Sequence, residues 1–129
     1  MEKSYKLVLA VCAGLAVGAG AVEALHAQAK PPAYVVVAIR SINDAEAFKT
    51  GVVDKASPAA VAAAGGRYVV RTQKVTSLDG PSPQRFVMIA FDSVEKAMAW
   101  QNSPLTKEVT AARRKSTVSS SFLVEGAAE

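Results

Sequence analysis

The reactive side chains of this sequence are confined to its beginning. Its only cysteine, Cys12, and its only histidine, His26, both precede residue 30. From residue 30 onward the chain holds no thiolate or imidazole, so Ser-His-Asp and Cys-His sites are excluded. Zinc and haem sites lack their usual ligands there as well. The sequence therefore predicts a domain without a metal or another cofactor.

Two arginines stand where a charge would need compensation. Arg71 lies within an apolar segment, and Arg113 begins the basic cluster Arg113-Arg114-Lys115. A buried, unpaired charge is costly, so each guanidinium should meet a protein carboxylate or an anionic ligand. One interpretation is a salt bridge of Arg71 at a subunit interface, with Glu125 as a partner. The other is recognition of a small anion or carboxylate by Arg71 and Arg113.

Two aromatic residues complete the candidate site. Strict alternation along a strand places Tyr68 on the face opposite Arg71. Trp100 follows Ala97 by three residues on a predicted helix. Core packing accounts for both rings, and the wall of a ligand pocket is the alternative. The candidate ligand-binding residues are therefore Tyr68, Arg71, Trp100 and Arg113.

The remaining polar motifs have structural explanations. The pairs Asp44/Glu46 and Asp92/Glu95 stand at predicted helix starts, where capping and the helix dipole favour acidic side chains. General acid–base catalysis is the alternative interpretation of these pairs. Gly65-Gly66 precedes a strand and predicts a turn rather than a phosphate-binding loop. The sequence assigns no catalytic residue and leaves open whether the protein is an enzyme.

The elements that must position these side chains follow from periodicity and turn signals. Strands are predicted at residues 33–40, 67–75, 85–91 and around 122–124. Helices are predicted at residues 43–56, 59–64, 92–102 and 104–116, with Ser57-Pro58 and Ser103-Pro104 as breaks. The order β-α-β-β-α-β predicts an α+β, ferredoxin-like fold with a four-stranded antiparallel sheet.

The predicted strands are apolar on both faces. Phe86 and Met88 point to one side, whereas Val87 and Ile89 point to the other. Two helices cover a single face, so the second face also requires cover. A second copy of the chain, related by a two-fold axis, supplies it most simply. The sequence therefore predicts a homodimer formed through the sheet face.

Residues 1–29 have the order of a secretory signal peptide. Two lysines precede an uncharged apolar run at residues 7–22, and Ala27-Gln28-Ala29 fits a cleavage site. We expect a periplasmic or secreted protein, with an inner-membrane anchor at residues 7–22 as the alternative. A Pro-containing linker at residues 30–32, a domain at 33–126 and a tail at 127–129 would follow. The net charge of +4 is spread along the chain, which disfavours nucleic-acid binding.

Several segments together resemble a bacterial family. They are AYVVV at 33–37, Asp44-x-Glu46-x-Phe48, GGRYVVR at 65–71, RFVMIxF at 85–91, AxxWxNSP at 97–104, Arg113 and VEG at 124–126. This pattern resembles domain of unknown function 1330, within the dimeric α/β-barrel superfamily. The resemblance implies the fold and the dimer, and it implies no reaction. The chain departs from the pattern at Ala38, where an acidic residue is common, and at Val52 and Thr106, where tyrosine is common.

Two functional hypotheses remain open. The domain is a binding protein for a small molecule, or a cofactor-free enzyme, that uses a cavity between sheet and helices. Alternatively, it is a non-catalytic structural or interaction module of the cell envelope. A cavity that holds Arg71 or Arg113 beside an aromatic wall would favour the first hypothesis. A completely filled core would favour the second.

Overall fold

The structure is a computed structural model, and it describes residues 30–127. The predicted signal peptide or anchor at residues 1–29 and the last two residues of the predicted tail lie outside the described residues. Within residues 30–127, no helix has both the length and the apolar character needed to span a membrane.

Strands and helices follow one another in the predicted order. The strands are β1 (Ala33–Ile42), β2 (Arg67–Thr72), β3 (Arg85–Phe91) and β4 (Thr117–Glu125). The helices are α1 (Ala45–Phe48), α2 (Pro58–Ala63), α3 (Val94–Gln101) and α4 (Pro104–Ser116), and α1 continues into a π-helical turn, Lys49–Val53. The strands form one antiparallel sheet in the order β2-β3-β1-β4. This α+β arrangement is the predicted ferredoxin-like fold.

The two Ser-Pro breaks start helices as predicted. The side chains of Ser57 and Ser103 accept hydrogen bonds from the backbone N–H groups of Ala60 and Thr106, respectively. In both helices a proline occupies the first turn, where its missing N–H is not needed.

Two other helix starts differ from the sequence prediction by one residue. The first helix was predicted to start at residue 43, but the residue that caps α1 is Asp44, which accepts a hydrogen bond from Ala47 N at 3.0 Å. Ser93, rather than Asp92, caps α3. When two neighbouring residues both have short polar side chains, the one whose backbone is extended at the helix start becomes the cap.

The core lies between the helices and one face of the sheet. Val35 of β1 pairs in register with Ile89 of β3 and with Leu123 of β4. The helices contribute Val61 and Ala97 to the same buried cluster. Side chains at alternate positions along each strand therefore face the helices, whereas their neighbours face the other way.

The second face of the sheet, here called the open face, carries an apolar row across all four strands. Val70 pairs with Met88, Met88 with Val36, and Val36 with Phe122. Phe122 keeps 50% of its surface exposed, and Val124 on the same strand keeps 42%. Val36 is only 3% exposed, so the described chain leaves mainly the β4 side of this apolar face on its surface, as a patch of the kind that normally meets a partner.

Candidate functional site

A cavity of about 70 Å³ lies between the sheet and the helices. Its floor includes Val37 and Ile39 of β1 and Val87 of β3, and the π-helical turn and α4 also line it. Because one water molecule needs roughly 10–15 Å³ of such space, the cavity has room for more than a single water molecule. The core beneath the helices is therefore not completely filled.

All four candidate residues from the sequence line this one cavity: Tyr68, Arg71, Trp100 and Arg113. A third arginine, Arg85, lines it too and was missed at the sequence level. Its signal was available, because Arg85 alternates with Val87 and Ile89 and so shares their face.

The relation of Tyr68 to Arg71 corrects the sequence prediction. The register between β2 and β3 shifts between Tyr68 and Val70, which makes Val69 the extra residue of a β-bulge. Tyr68 consequently pairs with Ile89 and Arg71 with Val87, so both side chains face the helices. The guanidinium carbon of Arg71 lies 4.9 Å from the centre of the Tyr68 ring. Strict alternation had placed them on opposite faces.

The burial of the arginines also differs from expectation. Arg71 is exposed, because β2 is an edge strand, and it lies at the solvent side of the cavity. Arg85 is half-buried, and its guanidinium carbon lies 5.5 Å from the centre of the Phe48 ring. Arg113 is buried, with 8% of its surface exposed. The arginine that needs compensation is therefore Arg113 rather than Arg71.

Arg113 is held from one side by the last strand. Its Nη1 donates a hydrogen bond to Ser119 Oγ at 2.7 Å. Burial lowers the pKa of the Arg113 guanidinium, and the neighbouring charge of Arg114 lowers it further. Burial also lowers the pKa of Arg85, with a second contribution from Arg71.

None of the acidic side chains within residues 30–127 lines the cavity. The salt bridges seen within residues 30–127 lie on the surface: Lys49–Asp54, Lys55–Glu108 and Lys96–Asp92. Arg71 and Glu125 lie on opposite edge strands of the sheet, β2 and β4. Arg71 also faces the helices rather than the open face, which argues against a salt bridge of Arg71 across an interface formed by the open face.

The aromatic residues serve as core and as cavity wall at once. Trp100 packs against the core with its ring centre 5.4 Å from that of Phe91, and it also lines the cavity. Tyr68 donates a hydrogen bond from its hydroxyl to Ala56 O at 2.5 Å. Burial raises the pKa of Tyr68, and the charges of Arg71 and Arg85 oppose that rise.

The departures from the family pattern divide between the two sides of the sheet. Val52 and Thr106 line the cavity, where tyrosines would have added hydroxyl groups. Ala38 pairs with Phe86 and Ser120, on the side of the open face. Across residues 30–127, no group of three or more His, Cys, Asp or Glu side chains is arranged to hold a metal ion.

Comparison with known proteins identifies a family and a fold. Residues 32–127 match the family model described as a domain of unknown function (DUF1330). No curated protein matches the chain.

The domain is similar to the crystal structure of a protein of unknown function from Rhodopseudomonas palustris. The two are 16% identical with a TM-score of 0.55, over 78% of this chain and 85% of that one. The methylated form of that protein gives 15% identity and a TM-score of 0.54, over 77% and 83%. A dimeric protein of unknown function with a ferredoxin-like fold from Bacteroides fragilis NCTC 9343 is 11% identical with a TM-score of 0.45, over 75% and 98%. At these identities the likeness concerns the fold.

Proposed function

The chain belongs to the DUF1330 family, a domain of unknown function, and we propose that it binds a small anionic molecule, specifically a carboxylate, in the cavity. One observation carries this proposal. Arg113 is buried without a carboxylate partner among the described residues, on a cavity that two further arginines and no acidic residue line. A carboxylate matches the planar fork of a guanidinium with paired hydrogen bonds.

The aromatic rings leave the arginines available to such a ligand. Arg71 lies over the Tyr68 ring and Arg85 over the Phe48 ring, so each charge makes a cation–π contact. An aromatic ring offers no oxygen acceptor to the five N–H donors of a guanidinium. The rings therefore hold the charges in place while the donors stay free for carboxylate oxygens.

The incompletely filled core favours binding over a purely structural role. A structural module gains stability from dense packing, and an empty space forfeits dispersion contacts. Here the space adjoins Arg113 and Trp100, the combination that was expected to distinguish a binding protein. The apolar floor suits a ligand with a short hydrocarbon body.

The proposal includes the assembly and the location of the protein. The open face would close against a second copy, which leaves the cavity on the other side of each sheet. Export would bring the domain to the periplasm, or to the inner membrane if residues 7–22 remain as an anchor. N-terminal sequencing of envelope protein distinguishes these outcomes, because cleavage gives a start near Lys30 and an anchor gives Met1.

Thermal denaturation of the full chain with acetate, benzoate, succinate and phosphate tests the binding function. A hundredfold excess over Kd contributes about 2.7 kcal/mol, which raises the midpoint by several degrees. Without ligand, the Arg71→Met variant should unfold at nearly the same temperature as the wild-type protein, since Arg71 is exposed, and its ligand-dependent rise should be smaller. Arg67→Met is the matched control, because Arg67 is an exposed arginine of β2 outside the cavity.

Two results would oppose the proposal. One is the absence of stabilisation by any of these anions. The other is an Arg71→Met variant that is destabilised by about 3–5 kcal/mol without ligand, the loss expected when a buried ion pair is broken. The second result would restore the structural interpretation of Arg71.

A further inference from the structure

The arginines of the cavity form two separate cationic positions. Arg71 pairs in register with Val87, two residues beyond Arg85, so these two arginines are diagonal neighbours on β2 and β3. Arg113 comes from α4 and is bonded to Ser119 of β4. One position therefore lies over β2 and β3, and the other lies against β4.

The sheet register places a whole strand between the two positions. Ile39 of β1 pairs with Arg85 on one side and with Ser119 on the other. Since neighbouring strands lie about 4.8 Å apart, the backbones of Arg85 and Ser119 are separated by about 10 Å. The pKa shifts of the arginines are consistent with this separation. The charge of Arg71 lowers the pKa of Arg85, whereas the charge that lowers the pKa of Arg113 is that of Arg114.

The cavity floor between the two cationic positions is apolar. Val37, Ile39 and Val87 form the floor there. At the β4 side, Arg113 uses one of its five N–H donors for Ser119, although the residue is more than nine-tenths buried. A monocarboxylate bound at either position would leave the other without a negative charge.

We propose that the ligand is a short dicarboxylate, with one carboxylate at Arg71 and Arg85 and the other at Arg113. This inference rests on the proposed carboxylate-binding function and narrows its ligand class. A spacer of a few methylene groups suits the apolar floor, which crosses a single strand between the two positions. Succinate and glutarate have the required two charges and an apolar middle.

Calorimetric titration of the full chain with succinate and glutarate, against butyrate and valerate, tests this directly. Each pair has the same carbon number and differs in one carboxylate. We expect the dicarboxylates to bind about tenfold more tightly or better, because a second set of hydrogen bonds between charged groups forms. The Arg71→Met and Arg113→Met variants should each reduce dicarboxylate affinity to the monocarboxylate level.

Two variants keep the test decisive. Arg114→Met removes an exposed arginine beside Arg113 that does not line the cavity, and it should leave the affinity unchanged. If Arg113→Met does not fold, Arg113→Lys keeps the charge and loses the planar fork. Its preference for dicarboxylates over monocarboxylates should then shrink, and an undiminished preference would contradict the assignment of Arg113.

The outcomes separate this inference from the function on which it rests. Equal affinity for matched mono- and dicarboxylates would overturn the dicarboxylate and leave carboxylate binding intact. Absence of binding by every carboxylate would overturn both.

Discussion

At the scale of single residues, Tyr68 contributes both to the stability of the fold and to the wall of the candidate site. Its hydroxyl donates to Ala56 O, its ring lies under Arg71, and its burial raises its pKa. The folded protein therefore holds the phenolic proton more tightly than the unfolded chain does. The stabilisation this provides is complete below the unfolded pKa of about 10, and it is lost as pH rises from there through the folded pKa.

The Tyr68→Phe variant should reveal this loss. We expect the difference in free energy of unfolding between the wild-type protein and Tyr68→Phe to be constant below about pH 9 and to fall above about pH 10. Urea denaturation at several pH values measures it. A difference that stays constant with pH would contradict the role given to burial of Tyr68.

The sequence pointed to four residues that line the cavity, but it did not predict how they are placed relative to one another. An arginine within an apolar run and aromatic residues at helical or strand spacing pointed to Arg71, Tyr68 and Trp100. The bulge at Val69 carries no sequence signal, since Val69 is flanked by residues that suit a regular strand. Arg85 was passed over because it stands at the start of its strand, where a charge normally meets water.

At the scale of secondary-structure elements, the close packing between α4 and the π-helical turn depends on one glycine, Gly51. A Cβ atom on Gly51 would lie 2.8 Å from the Cβ atom of Ala112, closer than real Cβ atoms approach. The absent side chain lets the turn, which lines the cavity with Val52 and Val53, come near the helix that carries Arg113.

The Gly51→Ala variant should therefore be destabilised by about 1–3 kcal/mol through overpacking. The better helix propensity of alanine acts in the opposite direction by about 1 kcal/mol. Adding Ala112→Gly should recover part of the loss, although that change alone costs about 1 kcal/mol in a helix. Urea denaturation of the wild-type protein, the two single variants and the double variant measures this double-mutant cycle. Strictly additive changes in the free energy of unfolding would show that residues 51 and 112 are not in contact.

The elements were predicted where a local signal existed. The Ser-Pro pairs mark helix starts because serine accepts a backbone hydrogen bond and proline needs none. Strand β4 begins at Thr117, five residues before its predicted apolar core, because the serines at positions 119–121 suit the edge of a sheet and resemble a loop in composition. The π-helical turn after Phe48 was not predicted, since its residues also suit an ordinary helix.

At the scale of the whole molecule, the open face is the basis for the proposed homodimer. Its apolar row crosses all four strands and ends at the half-exposed Phe122. Burial of apolar surface contributes about 25 cal/mol per Å², so pairing two such faces favours association. The helices occupy the opposite face, so the open face is the surface through which we propose that the protein dimerises.

Light scattering should give twice the chain mass for the wild-type protein and the chain mass for Phe122→Glu, because the new carboxylate would be buried without a partner. Leu78→Glu is the matched control, since Leu78 is 96% exposed in the β2–β3 connection and lies outside the sheet. A wild-type monomer at micromolar concentration, or a dimeric Phe122→Glu variant, would contradict the assembly.

Trp100 gives the most direct test of the central claim, that the arginine-lined cavity binds a carboxylate. It is the only tryptophan of the chain, and it lines the cavity. Titration with succinate should change its fluorescence emission to a saturating value in the wild-type protein and, at the same concentrations, in Arg67→Met, whereas Arg71→Met should need about tenfold more succinate. An emission that does not respond to succinate in the wild-type protein, or that responds equally in Arg71→Met, would contradict the account.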